Sequence, residues 1–238
     1  MKKSNLQILF SFFRSLKVML LGVLGIVFLG CSEEDSQDID NNTPIYQRYM
    51  VEFSDNGTMA YAHFSKDKDA FFKDVKLEGA QSIRVNGKSM NYNLIEELNI
   101  SYNYSRNLEK ASEVTFVFVR AKNKVYRNSV EKTEISRIAL PDHLEVVVND
   151  VAFAWVGESA SRDNEVIAVL SRETNDSYAD YMGTVTESRK EIVFTGVPAG
   201  AYNLTIQRYK RLDTQENNEP AKGEINVFYS DSQKVTVR

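Results

Sequence analysis

Apolar and polar residues alternate with a period of two along most of the chain, in short runs broken by turn signals. Tyr49-Met50-Val51-Glu52-Phe53 leads into Asp55-Asn56-Gly57, and residues 58–64 then set Met59, Tyr61 and His63 against Ala60, Ala62 and Phe64. Two alternating runs around an Asn-Gly predict a β-hairpin, because both residues tolerate the positive φ of tight hairpin turns. Further strands are expected at 76–77 and 81–85, and, after an Asn86-Gly87 turn, at 89–93, 99–104, 113–120 and 125–130. Val114-Thr115-Phe116-Val117-Phe118-Val119 is the most β-prone stretch. A turn at Lys122-Asn123-Lys124 follows it. A short helix over 67–73 is the one helical candidate, with Phe71 and Phe72 expected in the core. Ile138-Ala139-Leu140-Pro141 reads as a seam, since proline cannot donate to a strand ladder. A second series of strands is expected at 144–148, 151–156, 165–170, 182–185, 191–194, 202–208, 223–229 and 234–237. Strands this short, at this spacing, predict β-sandwiches.

Two features mark the second series. Ala152-Phe153-Ala154-Trp155 sets a tryptophan at the end of an early strand. Val197-Pro198-Ala199-Gly200-Ala201-Tyr202 puts a tyrosine just after a Pro-Gly turn, where a tyrosine corner would tie its hydroxyl back to the turn. These residues resemble fibronectin type III and other immunoglobulin-like modules, across about 98 residues. The resemblance implies an all-β chain of two tandem immunoglobulin-like β-sandwich domains, 45–139 and 140–238. The first is immunoglobulin-like by strand count alone.

The first 30 residues break the alternation. Lys2, Lys3, Arg14 and Lys17 come without an acid, and an uncharged, mostly apolar run over 18–29 ends at Gly30-Cys31. A basic start, a short apolar run and a small residue before a cut site make a secretory signal. Twelve helical residues reach about 18 Å, well short of the roughly 30 Å hydrocarbon core. Cys31 is the single cysteine of the chain. Phe28-Leu29-Gly30-Cys31 resembles the lipobox of bacterial lipoproteins, with Phe28 and Leu29 departing from that family's preferred residues. The resemblance implies cleavage after residue 30 and a diacylglyceryl group (hence fatty acids such as palmitate) on Cys31. Residues 31–44 then read as an acidic flexible tether, because Ser32-Glu33-Glu34-Asp35-Ser36-Gln37-Asp38 is a block of like charge. The run also resembles the export signal of Bacteroidota surface lipoproteins, which implies an outer-membrane anchor and an outward-facing protein.

Cleavage would remove four of the 29 basic residues and none of the 33 acidic ones, taking the net charge from −4 to −8. Such a balance argues against a nucleic-acid partner, which calls for basic patches. With Cys31 lipidated, neither disulfides nor cysteine-based zinc sites can form.

Catalytic chemistry finds little support. The two histidines, His63 and His143, fall in different modules, and no Gly-x-Ser-x-Gly elbow, P-loop or dinucleotide fingerprint is present. The carboxylate pairs Asp67/Asp69, Glu96/Glu97 and Asp176/Asp180 sit in polar stretches, and no calcium-loop spacing is met. No enzyme, metal or cofactor is expected. Tyr102 and Tyr104, on one face of a strand, and Tyr178 and Tyr181, in a loop, are the candidate ring platforms for a glycan. The 212–222 connection is a candidate binding loop or a plain solvated one. The expected role is a lipid-anchored surface protein acting in binding, adhesion or structure. The alternatives are a carbohydrate-binding accessory of a glycan-uptake system and a pilus or assembly subunit donating residues 233–238.

Overall fold

The computed structural model describes residues 34–35, 39, 43–66, 75–92, 104–121, 123–142, 144, 149–173, 178–186, 190–217 and 219–237. Among them the chain is all-β, with one three-residue 3-10 turn at Lys132–Glu134. The first half holds β1 (Glu34–Asp35), β2 (Tyr46–Phe53), β3 (Thr58–Ser65), β4 (Val75–Lys76), β5 (Ser82–Val85), β6 (Lys88–Ser89), β7 (Asn91–Tyr92), β8 (Tyr104–Asn107), β9 (Glu113–Ala121) and β10 (Lys124–Glu131). The second holds β11 (Ile138–Ala139), β12 (Asn149–Ala154), β13 (Val156–Gly157), β14 (Glu165–Glu173), β15 (Tyr178–Met182), β16 (Thr184–Thr186), β17 (Glu191–Val197), β18 (Gly200–Asp213) and β19 (Gly223–Val237). The expected helix at 67–73, with Phe71 and Phe72, and the apolar stretch 145–148 lie outside the described residues.

Turn chemistry sets the local pairings. Ser54 holds the β2–β3 turn, its hydroxyl accepting from the Gly57 amide at 3.0 Å. Asn86 and Gly87 both take positive φ, 47° and 77°, and join β5 to β6 in the two-residue turn that this pair favours. Two sheets then face each other in the first half. One contains β2, β3, β8 and β7; the other runs β10-β9-β5-β6. Tyr49 stacks on Phe116 at 4.4 Å and Phe64 lies 4.5 Å from Phe118, so the rings of β2 and β3 interlock with those of β9. In the second half, Ala168, Leu170, Leu204 and Ile206 from one sheet and Ile192 and Phe194 from another are wholly buried. Gly183 is where the chain changes layer, since β15 pairs with β14 while β16 pairs with β17. A Cβ there would lie 2.5 Å from Ile192 Cγ2.

The boundary expected between residues 139 and 140 does not separate two free-standing modules. One eight-stranded sheet, β15-β14-β18-β19-β2-β3-β8-β7, runs through both halves. Its spine is the β18–β19 hairpin, which spans about 46 Å at roughly 3.3 Å per residue. Residues 203–209 of β18 pair with β14, whereas the first part of β19, 223–229, runs parallel to β2 from Gln47 to Phe53. Strand β19 continues unbroken through the gap expected at 230–233. Its odd positions all face inward: Ile225, Val227 and Tyr229 enter the first core, and Val235 and Val237 the second. Asp231 and Gln233, half-buried, fall between these two groups. Tip residues 215–216 close the β10 edge of the first sandwich. Gln215 accepts from the Ser129 amide, and Glu216 from that of Arg127. The 212–222 connection is therefore built into the first sandwich.

The seam is a fastened joint. Ile138–Ala139 pairs with β13, and Ile138 and Leu140 are buried. Arg208, wholly buried, donates to the carbonyls of Glu158 at 2.6 Å and Ser159 at 3.2 Å. The Leu140 amide donates to Asp231, and Lys132 donates to the Ser54 carbonyl while lying 5.0 Å over the Tyr229 ring. Tyr229 and Arg137 both donate to Asp55, whose carboxyl these bonds hold down at about 2.

The segment expected to be a flexible tether is partly seated. Strand β1 pairs in parallel with β4, Glu34 opposite Val75 and Asp35 opposite Lys76. Ile39, the one large apolar side chain among residues 32–44, is 4% exposed within the core. A buried isoleucine outweighs the acidic composition around it.

Candidate functional site

The tyrosine corner forms. Tyr202 enters β18 from the Pro198 turn, and its hydroxyl donates to the Pro198 carbonyl at 2.8 Å. Trp155 is buried and its indole N–H donates to the Glu158 carbonyl at 2.8 Å. Both residues hold the scaffold together.

Of the tyrosines expected as glycan platforms, two have described side chains, Tyr104 and Tyr181, and both pack against other rings. Tyr104 lies opposite Ala62, on the core side of β8, and is 5% exposed. Its hydroxyl accepts from the Leu77 amide at 2.7 Å, and its ring abuts Phe64 and Tyr92. Tyr181 stands in β15 opposite the buried Leu170, half-buried and edge-on to Tyr202 at 6.0 Å. Tyr178 begins the same strand and is not in a loop. Tyr102 lies outside the described residues. The reason is parity: strand registers that the sequence leaves open turn Tyr104 and Tyr181 inward.

A different set of rings faces outward. On the outer side of the long sheet, cross-strand partners line up as Glu165, Tyr209, Phe228, Glu52, Met59 and Asn107. Beside them run Arg211, Asn226, Met50, Tyr61 and Ser105, and then Asp213, Glu224, Arg48 and His63. Tyr209, Phe228, Met50, Met59 and Tyr61 are all partly exposed, giving an apolar strip with polar flanks. The rings of Tyr209 and Phe228 are 5.1 Å apart, and the Tyr209 hydroxyl donates to Asn226 Oδ1 at 3.0 Å, which fixes the ring's orientation.

One end of this strip opens into a basin of about 530 Å³ lined by Arg162, Asp163, Glu165, Tyr209, Lys210 and Arg211. Two of its three cations are held in place: Arg211 pairs with Glu224 at 2.5 Å, and Lys210 donates to the Glu134 carbonyl at 2.9 Å. Glu224 is shared with Arg48 at 2.7 Å. Burial by itself would raise the Glu224 pKa, but the hydrogen bond and charge of Arg48, with help from Tyr46 and Arg211, hold it below the usual range. Burial, and next Glu224, push the Tyr46 hydroxyl up to about 12. A fixed ring beside charged groups of both signs can stack on one face of a ligand while donating to and accepting from its edge.

A second basin, about 350 Å³, lies at the other end of the strip, around Glu52, Asp55, Asn107, Ser230 and Asp231. Its carboxylates are engaged: Ser230 donates to Glu52 at 2.6 Å, while Asp55 and Asp231 serve the joint. Among the described residues, no group of three or more His, Cys, Asp or Glu side chains is placed to hold a metal ion. His63 is 2% exposed, and burial, with Arg48 opposite it, lowers its pKa to about 4. His143, Cys31 and the carboxylates Asp67, Asp69, Glu96, Glu97 and Asp176 lie outside the described residues; Asp180 is exposed on β15. Residues 233–237, expected as a donor strand, pair with 200–204 of their own chain.

No protein-family model matches the chain, and no curated protein matches it. Among solved structures, the crystal structure of a collagen adhesin from S. aureus aligns over 85% of this chain and 97% of that one, at 12% identity and a TM-score of 0.14. A score of that size carries no argument about fold or function.

Proposed function

We propose that this protein is a lipid-anchored surface protein of a bacterial outer membrane, held through Cys31, that binds a ligand without transforming it. The ligand is a glycan, taken on the outer face of the long sheet around Tyr209. One observation carries this reading: the aromatic strip lies on the polar side of the sheet, where a merely structural surface has no use for it. Sugars present alternating C–H faces and hydroxyl edges, and the oriented Tyr209 ring beside Arg162, Asp163, Glu165 and Arg211 offers a partner for each. Isolated apolar residues on a surface are ordinary, whereas a contiguous patch rimmed by polar groups marks a binding surface. The buried, uncharged state of His63 favours binding over acid–base work by that residue.

A glycan array probed with the soluble chain 32–238, and with Tyr209→Ala and Phe228→Ala forms, tests the proposal. Binding by the parent that both substitutions abolish, with unfolding temperatures little changed, is the expected result. Glycan binding indifferent to both would place the site elsewhere, and no glycan binding at all would defeat the ligand assignment.

A further inference from the structure

We propose that the ligand is a neutral, unbranched oligosaccharide of about five equatorially linked units, lying across the strands from one basin to the other. This deepens the glycan reading above and rests on it. The two basins share one cross-strand row. Glu165 and Tyr209 line the first, while Glu52, Met59 and Asn107 line the second. Phe228, the cross-strand partner of both Tyr209 and Glu52, bridges them. The six strands β14, β18, β19, β2, β3 and β8 thus carry one track, each of its residues partly or fully exposed. From Glu165 to Asn107 it measures roughly 24 Å at 4.7–4.9 Å per strand step.

Spacing, straightness and charge select the ligand. The Tyr209 and Phe228 rings are 5.1 Å apart, close to one strand step. A pyranose joined through equatorial bonds advances by much the same distance, so successive units meet successive strands. Strand twist turns neighbours about an axis along such a row, which leaves the row itself extended. An axially linked chain coils and would leave the track. Polar residues flank the row on the same outward face, Arg211 and Asn226 on one side, Gln207 and Ser230 on the other. The hydroxyl edges of an extended sugar chain would meet them. The lining of the second basin holds Glu52, Asp55 and Asp231 and no lysine or arginine. Arg137 offsets Asp55, whereas among the described residues Glu52 and Asp231 accept from a hydroxyl and from amides alone. A polyanionic glycan would be repelled there, which leaves neutral sugars. A second copy of this chain fits the row poorly, because Glu165, Glu52 and Asn107 interrupt its apolar surface.

The test is calorimetric titration of the soluble chain 32–238 with β-1,4-linked oligosaccharides of glucose, mannose, xylose and N-acetylglucosamine, from dimers to hexamers. In at least one series affinity should rise with each unit up to about five and stay level beyond. Pentamers of α-1,4-linked glucose, which coils, and of β-1,4-linked mannuronate, which is charged, should bind no better than a dimer. Met59→Ala changes a partly exposed residue three strand steps, roughly 14 Å, from Tyr209. It should weaken the pentamer by about tenfold, the loss of one methionine contact, with the unfolding temperature little changed. A flat length dependence, equal binding of the coiled or charged pentamer, or a pentamer indifferent to Met59→Ala would overturn the extended neutral ligand and leave glycan binding at Tyr209 standing. Array binding confined to branched, coiled or charged glycans would do the same. Absence of binding by any glycan would overturn both. Self-association in sedimentation that Tyr209→Ala abolishes would assign the row to a second copy, and would likewise overturn the proposal.

Discussion

Cutting the chain at the seam should destroy the first sandwich, although 45–139 contains strands β2 to β10. In the intact protein β2 runs beside β19 over seven residue pairs, Gln47 with Gly223 through Phe53 with Tyr229. Losing that ladder removes about seven backbone hydrogen bonds worth roughly 1 kcal/mol each. It also removes Ile225, Val227 and Tyr229 from the core, side chains that contribute about 1.5–3 kcal/mol apiece. The sum is roughly 10–15 kcal/mol, as large as the entire stability of an ordinary domain, about 5–15 kcal/mol. The β10 edge would lose its contacts with Gln215 and Glu216 as well. Residues 45–139 expressed alone should therefore give collapsed amide dispersion in NMR spectra and no cooperative melt, while 32–238 gives both. Adding residues 209–229 through a linker should restore the fold. A cooperative melt and dispersed spectrum from 45–139 alone would refute the shared spine.

Three further outcomes follow from single sites. Tyr202→Phe deletes the corner bond to the Pro198 carbonyl and should cost about 1 kcal/mol in denaturant unfolding. Gly183→Ala forces a methyl to within 2.5 Å of Ile192 Cγ2 and 2.9 Å of Phe194 Cζ, both in the core, and should destabilise by about 1–3 kcal/mol by the same measure. His63 has its pKa lowered from 6.5 to about 4, so between those values the unfolded chain binds the proton more readily. The stability due to its neutral form is thus complete above pH 6.5 and is lost as pH falls toward 4, up to roughly 3 kcal/mol. Melting curves of the parent and His63→Gln across that window should converge in slope only if this is wrong; a flatter profile for the variant is expected.

Local pattern carried most of the architecture. The alternation in 49–53 and 58–64 with Ser54–Gly57 between them, the Asn86-Gly87 turn and the Pro198–Tyr202 corner are each short-range features, and each is present. What the sequence concealed depends on long-range register. Asp231 and Gln233 are polar at inward positions of a strand that nonetheless continues from buried Tyr229 to buried Val235 and Val237. Ile39 was hidden by its acidic neighbours. The outward-facing aromatic strip, by contrast, has a signal in the sequence. Phe228 shares its parity with Glu224, Asn226 and Ser230, and Tyr209 shares its own with Gln207 and Arg211, so both were aromatics on the polar side of a strand. Tyr104 and Tyr181 lie opposite Ala62 and Leu170, a long-range register that local sequence does not display.

Intact-mass and peptide mass spectrometry of the protein extracted from the cells that make it bears most directly on the proposed anchored, surface-binding role. The mature chain should begin at Cys31, with a diacylglyceryl group on its sulfur. A chain that begins elsewhere, or that carries an unmodified Cys31, would contradict it.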